Sequence, residues 1–170
     1  MTDDIPEPSG AINFGDSHSE LPIDPDLPTD TRALHHRPTA IVAVFVGGIV
    51  GTTARYFIEA LLPAGTGSWP WATFLINLGG AFVLGALLEA LTRMGDDSGW
   101  RQRTRLCVGT GVCGAFTTYS TLALETSLLG RAGHYAFAIG YAAASVVTGT
   151  ITAWAGITIA TTIHRRWGDS

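Results

Sequence analysis

Residues 114–121 read Gly-Ala-Phe-Thr-Thr-Tyr-Ser-Thr, and this stretch decides how the rest of the chain is interpreted. It lies in the middle of an apolar segment, residues 106–129, that is long enough to cross a bilayer as a helix. Glycine and β-branched threonine weaken a helix at that point. In hydrocarbon, interrupted backbone persists only where it is buried in protein or lines a polar cavity. The stretch therefore predicts an ion or substrate site at membrane depth.

The composition is that of a small membrane protein with a polar tail. Of the 170 residues, 46% are apolar, and the mean hydropathy is +0.28. Residues 1–38 contain eight acidic side chains against two arginines, together with six of the eight prolines. Because such a segment buries too little apolar surface to fold, we expect residues 1–38 to form a disordered acidic tail.

Four apolar spans follow the tail, at residues 40–62, 71–91, 106–129 and 135–163. Pro63 ends the first span and Pro70 opens the second. The sequence thus predicts an all-α membrane protein with four transmembrane helices, of which the third is broken. The transmembrane domain is predicted to cover residues 39–164, and residues 165–170 are predicted to form a short cytoplasmic tail.

The distribution of arginine predicts the orientation in the membrane. With four spans, the N-terminal tail, the connection between spans two and three, and the C-terminus share one side. That side has eight arginines, and the other side has one, in the connection between spans three and four. By the positive-inside rule, both termini are cytoplasmic, as in a multi-pass protein of the plasma membrane. The eight are Arg32, Arg37, Arg93, Arg101, Arg103, Arg105, Arg165 and Arg166, and the one is Arg131.

Small residues line the first two spans and predict close helix packing. They are Gly47, Gly48 and Gly51 in the first span, and Gly79, Gly80, Ala81 and Gly85 in the second. Four helices nevertheless enclose little interior between them. We therefore expect that a polar pathway through the membrane needs a second subunit.

Polar side chains inside the spans are the candidate functional residues. The Asn77 amide either hydrogen-bonds a neighbouring helix or donates to a passing anion. Tyr141 and Ser145 share a helix face, and their hydroxyls either bond to carbonyls of their own helix or replace the water around an anion. Arg55 needs a partner, for which Glu59 and Glu125 are candidates, or else draws an anion into a vestibule. We find no nucleophile elbow or phosphate-binding loop, and we expect no enzymatic activity.

Three motifs resemble those of the CrcB/Fluc fluoride channel family. They are residues 47–56 (GGIVGTTARY), residues 71–80 (WATFLINLGG) and residues 111–121 (GVCGAFTTYST), the last followed by Glu125. Tyr141 and Ser145 fit the fourth helix of that family. The resemblance covers residues 40–163 and all four spans in order.

The resemblance implies an antiparallel dimer of four-helix subunits that passes fluoride down its gradient and so lowers cytoplasmic fluoride. It also implies a structural sodium ion at the dimer centre, held by the backbone carbonyls of Gly114 and Thr117. Fluoride holds its water tightly, so strong hydrogen-bond donors must replace that water. The donors expected here are Asn77, Thr118, Tyr141 and Ser145. Arg55 and Glu125 are expected to set the electrostatics of the vestibule.

Two features depart from the pattern of the family. Its members usually have phenylalanines, whose ring edges contact fluoride, where this chain has Tyr119 and Leu122. The arginine distribution also predicts one fixed orientation, and therefore a paralogous partner of opposite orientation rather than an antiparallel homodimer.

Two other functions compete with the channel. A proton-coupled exporter of drug-like cations would need a carboxylate deep in the first span, and Glu59 lies near the end of that span and follows an arginine. A non-conducting subunit that supports its partner would explain the loss of an aromatic ring at Leu122.

Overall fold

The part of the chain that the computed structural model describes, residues 38–63, 65 and 68–168, contains helices and no strand. The elements in chain order are α1 (Pro38–Leu61), α2 (Trp71–Arg93), α3 (Gly99–Thr104), a π-helical segment (Arg105–Cys113), α4 (Gly114–Phe116), α5 (Tyr119–Arg131) and α6 (Tyr135–Gly168). Residues 1–37 of the predicted acidic tail lie outside the described residues. At the other terminus, α6 continues without interruption past residue 165, where the short tail was predicted to begin.

Three helices are long and apolar enough to cross a membrane: Pro38–Leu61, Trp71–Arg93 and Tyr135–Arg166. Large apolar side chains on these helices are exposed, for example Phe45, Ile49 and Trp154. Exposed apolar surface on long helices is the pattern of a lipid-facing protein, so the chain is an all-α membrane protein. The predicted third span is divided among the π-helical segment, α4 and α5, and the count of four spans stays a prediction.

The predicted interruption of the third span lies at residues 117 and 118. Helical structure stops at Phe116 and resumes at Tyr119. Thr117 (φ −74°, ψ 157°) and Thr118 (φ −148°, ψ 119°) are extended. The Thr118 side chain caps α5, because its Oγ1 accepts a hydrogen bond from the backbone N of Thr121 at 3.2 Å. The two threonines thus end one helix and begin the next.

Glycines bring α1 against the π-helical segment with backbone touching backbone. A Cβ on Gly47 would collide with the carbonyl oxygen of Cys107, and one on Gly51 with that of Val112. The neighbouring Gly48 has open space where its Cβ would be. Two of the three small residues predicted on α1 therefore make the close approach that such residues permit in a membrane.

The α2–α6 pair packs in the same way. A Cβ on Gly85 would collide with the carbonyl oxygen of Ala153, and one on Gly156 with that of Phe82. These contacts hold α6 along α2, and they fix where the polar side chains of both helices meet the break.

Candidate functional site

The Asn77 side chain hydrogen-bonds both the N–H and the C=O of Thr118 at the break, and we call this pair of bonds the Asn77–Thr118 clasp. Its Nδ2 donates to the carbonyl oxygen of Thr118 at 3.0 Å, and its Oδ1 accepts from the backbone N of Thr118 at 2.8 Å. The amide of α2 thereby replaces the hydrogen bonds that an uninterrupted helix would supply at this residue. Two roles were predicted for Asn77, a hydrogen bond to a neighbouring segment and donation to an anion. The structure contains the hydrogen bond to the neighbouring segment.

The clasp and the Thr118 cap leave the carbonyls of Gly114 and Thr117 without their regular helical donors. In a continuous α-helix, the carbonyl of Gly114 would accept from the N of Thr118, and that of Thr117 from the N of Thr121. The N of Thr118 donates instead to Asn77, and the N of Thr121 donates to the hydroxyl of Thr118. The two carbonyls predicted to bind sodium are therefore among those that the break leaves without their regular helical donors.

Most of the predicted site residues line one cavity of about 420 Å³ beside the break. Its wall combines apolar and small residues of α2 and the π-helical segment with the polar groups of the break. Tyr119 stands at its edge and is 82% exposed. The predicted residues in this lining are Asn77, Gly114, Thr117, Thr118, Tyr119, Leu122 and Ser145.

Glu125 lies outside that lining, in a part-buried group with two hydroxyls. Thr73 Oγ1 donates to its Oε1 at 2.8 Å, and Tyr141 Oη donates to its Oε2 at 2.7 Å. Both donors are almost completely buried, with 1% exposure at Thr73 and 0% at Tyr141. Each carboxylate oxygen thus has its own donor from a different helix, which ties α5 to α2 and α6.

Aromatic rings surround the Tyr141 end of this group. The ring of Trp69 packs edge to face on Tyr141, Phe74 and Phe137, with centroid distances of 5.3, 5.6 and 5.5 Å. Leu122 packs against the same cluster and also lines the cavity. It therefore connects the apolar cluster to the break.

The hydroxyls of α6 bond mainly to their own helix. Ser145 Oγ donates to the carbonyl of Tyr141 at 2.8 Å, and Thr152 Oγ1 to that of Gly149 at 2.9 Å. Back-bonding is the first of the two interpretations that the sequence left open for this face. Tyr141 is different, since its hydroxyl reaches across to Glu125.

Arg55 is separate from both groups. Its Nε lies 3.8 Å from Glu59 Oε1, one turn further along α1, and both side chains are partly exposed. Of the two partners predicted for Arg55, Glu59 is the one in contact. Glu125 makes the hydroxyl contacts described above instead.

A second cavity of about 420 Å³ lies along the same groove, towards the arginines of α3 and the π-helical segment. On α2 both cavities use one stripe at three- and four-residue spacing, Asn77, Gly80, Ala81, Leu84, Leu88, Leu91 and Thr92, and the second cavity also uses Gly85 and Glu89. On the following segment, Arg101, Arg105, Gly109, Cys113 and Thr117 recur every fourth residue. Arg105 Nη2 pairs with Asp97 Oδ2 at 2.6 Å, and Arg101 Nη1 donates to the Met94 carbonyl at 3.1 Å.

Sequence reasoning missed Thr73 and Trp69. A threonine in an apolar span usually bonds to its own helix, and nothing in the spacing indicates a partner 52 residues away. The indole Nε1 of Trp69 is buried with no hydrogen-bond partner in the described part of the chain, and nothing in the sequence around it indicates this. The only usable signal was that residues 69–77 combine aromatic and polar side chains in one short stretch.

The geometry defines an all-α membrane protein with a polar break at the centre of its helices, and comparisons with known proteins identify its family. The family described as CrcB-like protein, Camphor Resistance (CrcB) matches residues 42–157. The chain belongs to this family, which confirms the resemblance drawn from the three motifs.

Curated relatives cover most of the chain and most of their own length. The fluoride-specific ion channel FluC 1 of Cutibacterium acnes is 44% identical over 71% of this chain and 85% of its own. FluC 2 of Leifsonia xyli subsp. xyli is 43% identical over 81% of this chain and 94% of its own. FluC of Caulobacter vibrioides is 38% identical over 71% and 94%. These relatives are ion channels, and the chain is not an enzyme.

Proposed function

We propose that this chain is a subunit of a fluoride-selective channel, through which fluoride leaves the cell passively across the plasma membrane. The names of the relatives support the transported ion. The observation that carries the proposal is the Asn77–Thr118 clasp, because it holds interrupted backbone open beside a cavity within the apolar helices. Such backbone is tolerated at membrane depth where it serves an ion pathway.

The proposed fluoride pathway consists of Asn77, Thr118, Tyr119, Leu122, Tyr141 and Ser145. An amide nitrogen has two N–H donors, and the clasp uses one of those of Asn77, so the other is available to an anion in the cavity. Two hydroxyls offset the charge of Glu125, which reduces its repulsion of an anion nearby. Arg55 contributes positive potential from α1, partly compensated by Glu59.

A structural sodium ion fits the break. The carbonyls of Gly114 and Thr117 lack their regular donors, and carbonyl oxygen is a suitable ligand for a hard cation. No cluster of three or more His, Cys, Asp or Glu side chains suited to a metal exists among the described residues, so backbone oxygens are the candidate ligands. When bound, sodium would supply positive charge at the centre of the assembly.

The proposed partner is a second channel subunit in the opposite orientation, forming an antiparallel dimer. Tyr119 and Gly114 are exposed at the edge of the cavity, where a partner would cover them. The ratio of eight arginines to one favours a single orientation with cytoplasmic termini. We therefore propose a paralogue as the partner.

A non-conducting support subunit is the second candidate, and Leu122 is the observation that favours it. This side chain packs into the apolar cluster around Tyr141 and offers no ring edge to an anion. The proton-coupled exporter is disfavoured, because Glu59 is already paired with Arg55 near the end of α1.

Fluoride efflux from liposomes tests these proposals. We expect efflux when the chain is reconstituted with a paralogue of opposite arginine bias, and none from the chain alone. Efflux from the chain alone would contradict a fixed orientation, but the chain would still be a channel.

In the working pair, Asn77→Asp should abolish efflux through the pore that uses this residue. The matched control is Thr53→Ala, since Thr53 is exposed and bonds only to the Ile49 carbonyl of its own helix. If Asn77→Asp leaves efflux unchanged, the chain would be a non-conducting subunit that supports its partner.

A further inference from the structure

A third cavity, of about 530 Å³, forms an apolar groove between α2 and α6 near their arginine-rich ends. Its lining includes the small residues Ala86, Ala90 and Ala160, here called the alanine floor, together with the larger Phe82 and Ile163. His164 closes the end of the groove and is its one titratable lining residue in the described part of the chain.

The groove is not part of the proposed ion pathway. On α2 it uses Phe82, Ala86, Ala90 and Met94, at four-residue spacing. At about 100° per residue, this stripe lies on the face of α2 opposite to the one that lines the cavity at the break. From Phe82 to Met94 the stripe rises roughly 18 Å along the helix axis. That length, within the hydrocarbon region, suits an extended acyl chain.

Positive charge is concentrated at one end of this groove. Arg166 is three residues after Ile163 and seven after Ile159, so it extends the α6 stripe beyond His164. Arg93 continues the α2 stripe at the same end, but its guanidinium is already held by Glu89 and Thr161. Arg165, in contrast, belongs to the opposite face of α6. In the described part of the chain, the groups left to meet a headgroup are thus the Arg166 guanidinium and the His164 imidazole, both exposed.

We propose that this groove binds an anionic phospholipid, with one acyl chain along the alanine floor and the phosphate against Arg166 and His164. Basic pockets between transmembrane helices are recognised sites for anionic headgroups. The apolar length and the charge at one end match the two parts of such a lipid. Phosphatidylcholine would fill the groove and also offer a phosphate, but its choline cation offsets the attraction to Arg166, so a lipid with net negative charge is favoured.

Lipid binding to the detergent-purified chain, measured by native mass spectrometry, tests the proposal without any fluoride assay. The probes are phosphatidylglycerol and phosphatidylcholine with identical acyl chains. We expect phosphatidylglycerol to remain bound preferentially, and Arg166→Gln to weaken its binding roughly fivefold, as about 1 kcal/mol for one arginine implies. Arg165→Gln is the matched control and should change binding little.

Filling the groove should act on both lipids. Ala90→Leu is expected to reduce binding of phosphatidylglycerol and phosphatidylcholine alike, while circular dichroism shows unchanged helix content. Equal binding of the two lipids to the wild-type chain, or equal effects of Arg166→Gln and Arg165→Gln, would overturn the proposal. So would a change of oligomeric state by Ala90→Leu with lipid binding intact, since a second copy of the chain would then cover the groove.

Discussion

At the scale of single residues, Asn77 is the side chain on which the site depends most. Its amide satisfies one donor and one acceptor of the Thr118 backbone, so it determines where the helix can stop. An aspartate could keep only the acceptor, and an apolar residue could keep neither. The residue therefore connects the sequence pattern of α2 to the shape of the break 41 residues later.

Replacing Asn77 with leucine should destabilise the fold. The substitution leaves the N–H and C=O of Thr118 without partners in a part-buried site, at a cost of about 1–3 kcal/mol for each group. We expect the free energy of unfolding in detergent to fall by about 2–4 kcal/mol. The control is Thr53→Ala, whose hydroxyl bonds within its own helix and should matter little. Equal stability of Asn77→Leu and wild type would show that the clasp does not hold the break.

The two hydroxyls on Glu125 allow a second test at this scale. Tyr141→Phe removes the donor to Oε2 and keeps the ring in the aromatic cluster, and Thr73→Val removes the donor to Oε1. Interhelical hydrogen bonds in membranes contribute on the order of 1 kcal/mol. Each substitution should lower the free energy of unfolding by about that amount, and both together by more than the sum, because the carboxylate then has no donor.

A double-mutant cycle measured by denaturation would quantify this coupling. The matched control is Thr126→Val, since Thr126 donates only to the Leu122 carbonyl of its own helix. Strict additivity of Tyr141→Phe and Thr73→Val would mean that the two hydroxyls do not share one carboxylate in solution.

At the scale of elements, much of the architecture follows from the sequence. Hydropathy and proline predicted spans at 40–62 and 71–91, and the helices are Pro38–Leu61 and Trp71–Arg93. Glycine followed by threonines predicted an interruption within residues 114–121 for a local reason, namely weak helix propensity, and the structure has it at residues 117 and 118. These features depend on near neighbours in the chain, which is why they could be predicted.

Contacts between distant segments could not be predicted in the same way. Nothing in the spacing of Thr73 indicates Glu125 as its partner, and Arg55 had two candidate partners until the geometry brought it to Glu59. The π-helical turn of Arg105–Cys113 gave no sequence signal either, although it aligns Arg105, Gly109 and Cys113 with the groove. Such features depend on how helices pack, not on the pattern within one helix.

The contact between α1 and the π-helical segment can be tested with two glycine substitutions on α1, one of which serves as the control. Gly51→Ala places a Cβ against the backbone of Val112, which cannot rotate away, so we expect a loss of about 1–3 kcal/mol in unfolding free energy. Gly48→Ala, one turn earlier, meets open space and should leave stability unchanged or raise it by up to ~1 kcal/mol. Thermal unfolding of the two variants in the same detergent checks the difference. Similar melting temperatures would mean that the two helices do not pack this closely.

At the scale of the whole molecule, the arginine distribution and the exposed edge of the cavity both bear on which chain can be the partner subunit. Tyr119 is 82% exposed and Gly114 is also exposed beside the break, so the subunit has an uncovered polar face. An antiparallel partner could cover this face, but a chain with eight arginines on one side and one on the other cannot insert equally both ways. The assembly that we propose therefore requires two different chains, one for each orientation.

The arginine distribution predicts a single orientation in the membrane, and moving arginines to the other side should change it. We expect a reporter fused to the C-terminus of the wild-type chain to be found only on the cytoplasmic side. Arg103→Ala and Arg165→Ala, combined with Ala132→Arg and His134→Arg in the exposed α5–α6 connection, change the ratio from eight to one into six to three. That variant should insert in both orientations, and it should show fluoride efflux without a paralogue if the pore is otherwise intact.

The control carries Arg103→Ala and Arg165→Ala alone, which gives a ratio of six arginines to one, and it should keep one orientation. A wild-type chain that already inserts both ways would contradict the need for a paralogue, since one sequence would then supply both halves of the antiparallel pair.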